Sequence, residues 1–331
     1  MKLVTFETRS TPAPGRRLGA LSAEDKRVVD LNAAFAAYVG EKASAGRARE
    51  IADASVPTDM LRFLETGPYA IECARIALEY AERQAGRRTR GADSLVYNRQ
   101  RVRLLAPLPR PRTIRDFMTF EVHAGTAAQP PAAWYEFPVY YKGNPESVIG
   151  PEDEIPWPSY SERLDYELEM GMYIGREGRD IPKERARNYI AGFTIFNDVS
   201  ARDIQFKEMS VMLGPAKGKD FCNIMGPCLV TPDELDDMDL RMTARINGEV
   251  WSEGNSGTRR YTWEDMIAWA SRDETLHPGE FFGSGTVGKG CGLELNRWIK
   301  PGDVVELEIE GIGVLRNPVG GPRRRHQEKR K

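Results

Sequence analysis

The chain is poor in the residues that mark several common protein classes. Its 331 residues include four cysteines and three histidines. Cys73, Cys222, Cys228 and Cys291 are far apart and form no CxxC pair, so neither a disulfide framework nor a zinc ribbon is indicated. No apolar run approaches the roughly 18 residues that a membrane-spanning helix needs. We therefore expect a cytoplasmic protein with no membrane partner.

An excess of either charge is also missing. Lysine and arginine number 47 against 49 aspartates and glutamates, which gives a net charge of −2. Such a balance provides no general attraction to nucleic acid or to an anionic membrane. The concentrated positive charge at residues 321–331 is typical of a solvated, disordered tail. Partners must therefore be inferred from local sites, and we expect no nucleic acid among them.

The pattern of the sequence changes near residue 105. Residues 1–105 open with a short strand candidate, and apolar residues then recur at helical spacing over 20–45 and 60–84. Beyond a proline-punctuated segment, residues 106–320 are dominated by strand and turn patterns. The sequence predicts an α+β fold, in which a smaller N-terminal domain (1–105) precedes a mostly β catalytic domain (106–320).

Three local patterns support the β-rich interpretation. Apolar residues fill a strand candidate at 190–196, and alternation predicts another strand over 304–315. Asn247-Gly248 suits the positive φ angles of a two-residue turn, so a hairpin is expected over 241–251. A helix is predicted at 262–271, where Thr262 can act as the N-cap.

A pair of glutamates carries the first chemical signal. Residues 164–171 read LDYELEMG, and strand alternation places the side chains of Glu167 and Glu169 on one face. Asp198 follows the strand candidate at 190–196. If these carboxylates were buried, their desolvation and repulsion would require a cation or a proton, and an oxygen-only set favours Mg²⁺, Mn²⁺ or Ca²⁺. The alternative is an ordinary solvent-exposed strand face.

A histidine carries the second signal. His326 lies in the basic tail and His277 in a turn, so His123 is the best placed candidate for a general base, with a purely structural histidine as the alternative. Two glycine-bearing loops, at 214–221 and 283–288, offer a lysine ammonium and backbone donors for a substrate anion. Neither loop matches a nucleotide-binding signature.

In their order along the chain, these segments resemble the fumarylacetoacetate hydrolase superfamily from about Asp116 to Leu315. The shared features are Asp-Phe then His, Glu-x-Glu, Asn-Asp-x-Ser-Ala-Arg-Asp-x-Gln, Gly-Lys-Asp-Phe, Ser-Gly-Thr and a late Leu-Glu-Leu. The resemblance implies a mixed β-roll catalytic domain with a smaller N-terminal α/β domain, assembled as a homodimer.

The same resemblance implies a role for each candidate residue. The divalent metal would be held by Glu167, Glu169 and Asp198, with Asp116 as a further ligand. The catalytic group would consist of His123 as base, Glu294 orienting it and Lys219 stabilising an oxyanion. The residues expected to contact substrate are Tyr141, Arg202, Gln205 and Thr286.

The implied reaction is metal-dependent hydrolysis of a carbon–carbon bond in a 1,3-diketo acid, an acylpyruvate or a fumarylacetoacetate-like compound, through a metal-bound enolate. The nearest alternative keeps the same site for isomerising a 2-hydroxy-dienoate or decarboxylating a 2-oxo acid in aromatic catabolism. A non-catalytic binding protein that uses its basic tail is the alternative from another class. Met118 and Asn144 stand where the fumarylacetoacetase branch has tyrosine and arginine, which argues against fumarylacetoacetate itself.

Overall fold

The structure is a computed structural model that describes residues 1–8, 15–22, 24–42, 45–84, 95–126 and 129–322. The predicted basic tail at 321–331 lies outside these ranges from residue 323 onward. Its first two residues belong to the last strand.

The first 105 residues combine short strands with a group of helices. The strands are β1 (Lys2–Thr8), β2 (Arg17–Leu21), β3 (Arg27–Asp30), β4 (Val96–Asn98) and β5 (Val102–Leu104). The helices are α1 (Leu31–Lys42), α2 (Ala48–Ser55), α3 (Met60–Thr66) and α4 (Pro68–Gln84).

The helix predicted over 20–45 is wrong over residues 20–30, because α1 begins at Leu31 and strands β2 and β3 precede it. Val28 and Val29 explain the difference. They point to opposite faces of β3, and each is buried in a different hydrophobic cluster. A strand covered on both faces reads as a continuous apolar run, which periodicity does not distinguish from a buried helix. The predicted helix at 60–84 exists but is broken at Gly67, which has a φ of 75°.

The rest of the chain is mostly strand, which confirms the α+β class. Its strands are β6 (Ile114–Phe117), β7 (Tyr140–Gly143), β8 (Val148–Ile149), β9 (Ile155–Trp157), β10 (Leu164–Asp165), β11 (Leu168–Ile174), β12 (Gly178–Arg179), β13 (Ile190–Asn197), β14 (Ser200–Ala201), β15 (Asn223–Val230), β16 (Arg241–Ile246), β17 (Glu249–Asn255), β18 (Thr275–Leu276), β19 (Phe281–Gly283), β20 (Val304–Ile309) and β21 (Gly313–Pro322). Its helices are α5 (Glu121–Ala124), α6 (Lys183–Ala186), α7 (Arg202–Met209), α8 (Trp263–Ala270) and α9 (Gly292–Leu295).

Most local predictions in this part are confirmed. Strands β16 and β17 form the expected hairpin, with φ angles of 53° at Asn247 and 81° at Gly248. Helix α8 starts with a capping box in which the Thr262 side chain accepts from the backbone of Asp265. The single strand predicted over 304–315 is wrong, since a turn before Gly313 divides it into the antiparallel pair β20 and β21.

One large sheet connects both parts of the chain in the order β4-β3-β2-β1-β15-β13-β11-β19-β6-β7, with β5 beside β1 and β8 beside β15. The sheet is continuous across residue 105, and a domain boundary there stays a prediction. A second sheet, β17-β16-β20-β21-β9, shares a hydrophobic cluster with one face of the large sheet, where Met242 and Leu307 join Met170 and Ile195. The N-terminal helices share another cluster with strands β15 and β19.

The order of the central strands brings distant acidic residues together. Asp116 on β6 is paired with Gly283 on β19, which pairs in turn with Gly171 on β11. A Cβ atom at position 283 would lie 2.3 Å from Oδ1 of Asp116, so a residue without a side chain is required there. Glu169 on β11 pairs with Phe196 on β13, two residues before Asp198.

Candidate active site

Three carboxylates, on β6, on β11 and directly after β13, converge in the large sheet. Asp116, Glu169 and Asp198 each place one oxygen within 4.8 Å of the other two, and all three residues are buried. Within the part of the chain that the structure describes, Oδ1 of Asp116 and Oδ1 of Asp198 have no hydrogen-bond partner. Burial of both glutamates, Glu167 and Glu169, rules out the solvent-exposed strand face considered above.

Burial and mutual repulsion make the ionised form of these three carboxylates unfavourable unless a cation or protons neutralise it. Burial, reinforced by the charge of Asp198, raises the pKa of Asp116 well above its ordinary value. Burial and the charge of Asp116 do the same to the pKa of Glu169. Burial also raises the pKa of Asp198, although Lys219 partly offsets it. A divalent ion would neutralise this repulsion and occupy the unpartnered oxygens, and the oxygen-only donor set fits Mg²⁺, Mn²⁺ or Ca²⁺.

Glu167 lies beside this cluster and has different partners. Its Oε1 accepts a 2.7 Å hydrogen bond from Nη2 of Arg202, and its Oε2 accepts from Nζ of Lys219. Burial alone would raise the pKa of Glu167, but the charges of Arg202 and Lys219 lower it below its ordinary value. The two cations therefore favour the ionised form of Glu167, and its assignment as a metal ligand stays a prediction.

Lys219 joins the two carboxylate groups. Its ammonium contacts both Glu167 and Asp198, and Asp198 also accepts a 2.6 Å hydrogen bond from the Tyr141 hydroxyl. Burial would lower the pKa of Lys219, but the charges of Asp198 and Glu167 raise it. The lysine therefore stays charged, as an oxyanion-stabilising role requires. Gly218 before it must be small, since a Cβ there would lie 2.7 Å from the Gln205 backbone.

His123 and Glu294 meet although 171 positions separate them in the chain. Nδ1 of His123 lies 3.2 Å from Oε2 of Glu294, and Nε2 lies 3.8 Å from Oε1 of Glu167. Burial would raise the pKa of Glu294, but its hydrogen bond and charge interaction with His123 lower it. An ionised Glu294 accepting from Nδ1–H leaves Nε2 as the acceptor nitrogen, which is the arrangement of an oriented general base.

A cavity of about 200 Å³ joins these groups. Met118 lines it, whereas Asn144 takes a structural position, where its Oδ1 accepts from the backbone of Glu146 and its amide donates to the carbonyl of Asp220. The predicted site residues that line the cavity are Asp116, His123, Tyr141, Glu167, Glu169, Arg202, Gln205, Lys219 and Thr286. Thr286 donates to Glu169 at 3.2 Å, and Gln205 accepts from Arg202 at 3.0 Å, so both also contact other site residues.

Asp165 is a site residue that the sequence analysis missed. Its carboxylate accepts from the backbone N–H groups of Gly292 (2.7 Å) and Leu293 (3.0 Å) and from Nε of Arg202 (2.8 Å). It thereby ties the start of α9, which carries Glu294, to the arginine that holds Glu167. The signal was present, since Asp165 precedes Glu167 and Glu169 at the same two-residue spacing.

The fold and this site define an enzyme class, and the match of a family model identifies it. The model described as fumarylacetoacetate (FAA) hydrolase C-terminal matches residues 112–320. The chain belongs to the fumarylacetoacetate hydrolase family, and it is an enzyme of that family.

Particular relatives extend the comparison to nearly the whole chain. The mitochondrial oxaloacetate tautomerase of Xenopus laevis is 32% identical over 322 residues, which cover 96% of this chain and 90% of that protein. A fumarylacetoacetate hydrolase from Exiguobacterium antarcticum has a TM-score of 0.67 at 25% identity, over 97% of this chain and 99% of its own. A maleylpyruvate hydrolase from Sphingobium sp. SYK-6, solved with manganese(II) and pyruvate, has a TM-score of 0.69 at 21% identity with the same coverage. The last likeness shows the fold alone.

Two expectations about the cellular context can be compared with these findings. Among the described residues, no helix combines the length and apolar character needed to cross a bilayer. The name of the Xenopus relative places that protein in mitochondria. The cytoplasmic location and the homodimer expected for this chain stay predictions.

Proposed function

We propose that the protein catalyses keto–enol tautomerisation of oxaloacetate or a closely related small 2-oxo acid, at a divalent cation held by Asp116, Glu169 and Asp198. The observation that carries the proposal is the buried carboxylate cluster with unpartnered oxygens on Asp116 and Asp198. The named activity of the Xenopus relative supports the choice of substrate. A cavity of about 200 Å³ beside the cluster has room for a small 2-oxo acid.

The chain's own residues offer a path for the proton. His123, held through Nδ1 by Glu294, accepts the proton from the substrate carbon beside the ketone at Nε2. It then returns this proton to the ketone oxygen, so that no other atom is gained or lost. Lys219 stabilises negative charge on that oxygen between the two transfers. A bound cation supplies Lewis acidity that favours ionisation of the substrate.

Hydrolysis of an acylpyruvate is the second candidate, and the contact between His123 and Glu294 favours it. The same Nε2 can take a proton from water, whose oxygen then attacks the carbonyl carbon. Cleavage of the carbon–carbon bond releases a carboxylic acid and, after protonation, pyruvate. Isomerisation of a 2-hydroxy-dienoate and decarboxylation of a 2-oxo acid use the same groups and belong in the same substrate panel.

The test is a substrate panel with metal-stripped protein to which Mg²⁺ or Mn²⁺ is returned. Decay of the enol absorbance of oxaloacetate reports tautomerisation, and pyruvate release from acylpyruvates reports hydrolysis. We expect metal-dependent enol decay above the rate with metal alone. His123→Ala should slow it roughly 10²–10⁴-fold, the usual contribution of a general base.

His277→Ala is the matched control, because His277 is a half-exposed histidine paired with Glu177 outside the cavity. It should keep the full rate. Cleavage of acylpyruvates without effect on the enol would favour the second candidate. A protein that is inert on the whole panel with either metal would refute both.

A further inference from the structure

A second set of ligand-type side chains surrounds the histidine. His123, Cys291 and Glu294 each offer one ligand atom within 4.8 Å of the other two. Nδ1 of His123 lies 3.2 Å from Oε2 of Glu294, Sγ of Cys291 lies 3.4 Å from the same oxygen, and Sγ lies 4.0 Å from Nδ1. This second set therefore offers one nitrogen, one sulfur and one oxygen atom as ligands, whereas the carboxylate cluster offers only oxygen atoms.

We propose that His123, Cys291 and Glu294 form a second metal site, selective for a thiophilic divalent cation such as Zn²⁺, whose occupation blocks His123. The blocking effect rests on the base role proposed for His123, whereas the binding itself does not. No part of the proposed tautomerase or hydrolase chemistry requires this second ion.

The distances between the three ligand atoms are close to those around a tetrahedral zinc ion. With bond lengths of about 2.3 Å to sulfur, 2.05 Å to nitrogen and 2.1 Å to oxygen, a tetrahedral ion holds nitrogen and oxygen about 3.4 Å apart and sulfur about 3.6 Å from either. The three observed distances differ from these by roughly half an ångström or less. Small side-chain rotations would complete the site. Mg²⁺ would not compete, since it requires near-octahedral oxygen coordination.

The surroundings of the three ligands are also those of a metal site. Oε1 of Glu294, the oxygen that the ion would leave free, accepts from the backbone of Lys289 (3.0 Å) and from the hydroxyl of Thr126 (3.2 Å). Nε2 of His123 faces Oε1 of Glu167 at 3.8 Å. A zinc-bound histidine commonly directs its second nitrogen toward a carboxylate, which orients the ring. Thr126 is exposed, so water can supply the fourth ligand from that side.

Occupation of the site would stop proton transfer. The Cys291 thiol loses its proton to solvent when the Zn–S bond forms, so one proton is released for each ion bound. With the ion on Nδ1, the remaining ring proton stays on Nε2, and the imidazole then has no nitrogen free to accept another. The contact that makes Glu294 the orienting carboxylate is replaced by the bond to the ion. Inhibition by Zn²⁺ at this site therefore does not require displacement of Mg²⁺ from the carboxylate cluster.

Co²⁺ is the probe, because thiolate coordination gives it a charge-transfer band in the near ultraviolet and carboxylates do not. Co²⁺ is titrated into the full-length protein at saturating Mg²⁺. We expect a thiolate band that saturates at one Co²⁺ per chain and is removed by Zn²⁺. Cys291→Ser should abolish it. Cys228→Ser, which changes a buried cysteine whose thiol donates a hydrogen bond to the carbonyl of Ile312, should leave the band unchanged.

Two further measurements keep the proposal testable if Cys291→Ser does not fold. The wild-type titration decides by itself, since absence of the band overturns the site. Glu294→Gln keeps the thiol, and it should weaken Co²⁺ binding at least tenfold while retaining the band. A band that survives Cys291→Ser would also overturn the site.

The blocking effect can be measured separately, as inhibition of the enzyme by Zn²⁺ with any substrate that the protein turns over. Zn²⁺ at saturating Mg²⁺ should lower kcat, and Cys291→Ser should raise the inhibitory concentration at least tenfold. Inhibition that is identical in both proteins would overturn the blocking role. Because the cobalt spectrum needs no substrate, failure of the proposed function is distinguishable from failure of the site.

Discussion

Asp116→Asn should separate two properties of the carboxylate cluster, its self-repulsion in the metal-free protein and its attraction for a cation. In the metal-free state Asp116 is buried within 4.8 Å of two other carboxylates, and its Oδ1 has no partner among the described residues. The amide removes one negative charge and brings donors to the oxygens of Glu169 and Asp198. We therefore expect the metal-free variant to be at least as stable as the wild type.

The magnitude follows from charge separation and ligand linkage. Two unit charges at 4.8 Å, the largest separation in the cluster, repel by about 3.5 kcal/mol at an effective dielectric constant of about 20. Proton uptake by the cluster removes much of this repulsion, so we expect a metal-free gain between zero and roughly this size. In wild type, Mg²⁺ at 100 times its Kd adds about 2.7 kcal/mol to the free energy of unfolding. Loss of an outer partner of a metal ligand costs up to about 100-fold in affinity, and loss of a direct ligand should cost at least as much, which reduces this to about 0.4 kcal/mol or less.

Thermal melts with a chelator and with Mg²⁺ provide the assay. At roughly 2 °C per kcal/mol for a long chain, the Mg²⁺-induced rise in Tm should fall from about 5 °C to about 1 °C. Asp237→Asn is the matched control, since Asp237 is a buried carboxylate paired with Arg187 and Arg259. It should lose about 3–5 kcal/mol with or without Mg²⁺ and keep the full metal-dependent rise. If Asp116→Asn behaves in the same way, the cluster does not bind the cation.

Two other perturbations test the electrostatics of the site. Because the pKa values of Asp116 and Glu169 are raised in the folded protein, their contribution to metal-free stability is greatest below the ordinary carboxyl pKa and is lost as the pH rises through the raised values. The affinity for Mg²⁺ should change in the opposite direction: it should be weak at low pH, where protons compete for the carboxylates, and should increase as the pH rises. Thermal melts over a pH series with and without Mg²⁺ will show whether the two trends cross. Asp165→Asn should lower the free energy of unfolding by about 3–5 kcal/mol in urea titrations, because the buried Arg202 loses one of its two carboxylate partners. Glu162→Gln, at an exposed position, should change the stability little. Equal stability of the two variants would contradict the linking role of Asp165.

Local pattern predicted the parts of the fold that depend on neighbours in the sequence. The turn at Asn247-Gly248, the cap at Thr262 and the strand ending before Asp198 all formed as expected. Strands β2 and β3 were missed, because burial on both faces removes the alternation that marks a strand. The resemblance supplied what periodicity could not, the link between His123 and Glu294.

The sequence by itself determined which side chains share a face in residues 164–171: Tyr166, Leu168 and Met170 lie in one hydrophobic cluster, as strand alternation requires. Tertiary structure decided that the opposite, acidic face is buried. It also decided that Asp116 joins Glu169 and Asp198, while Glu167 pairs with Arg202 and Lys219. The physical reason is that side-chain direction is a local property of the backbone. Proximity of β6, β11 and β13 depends instead on strand order and register, which form only when the sheet assembles.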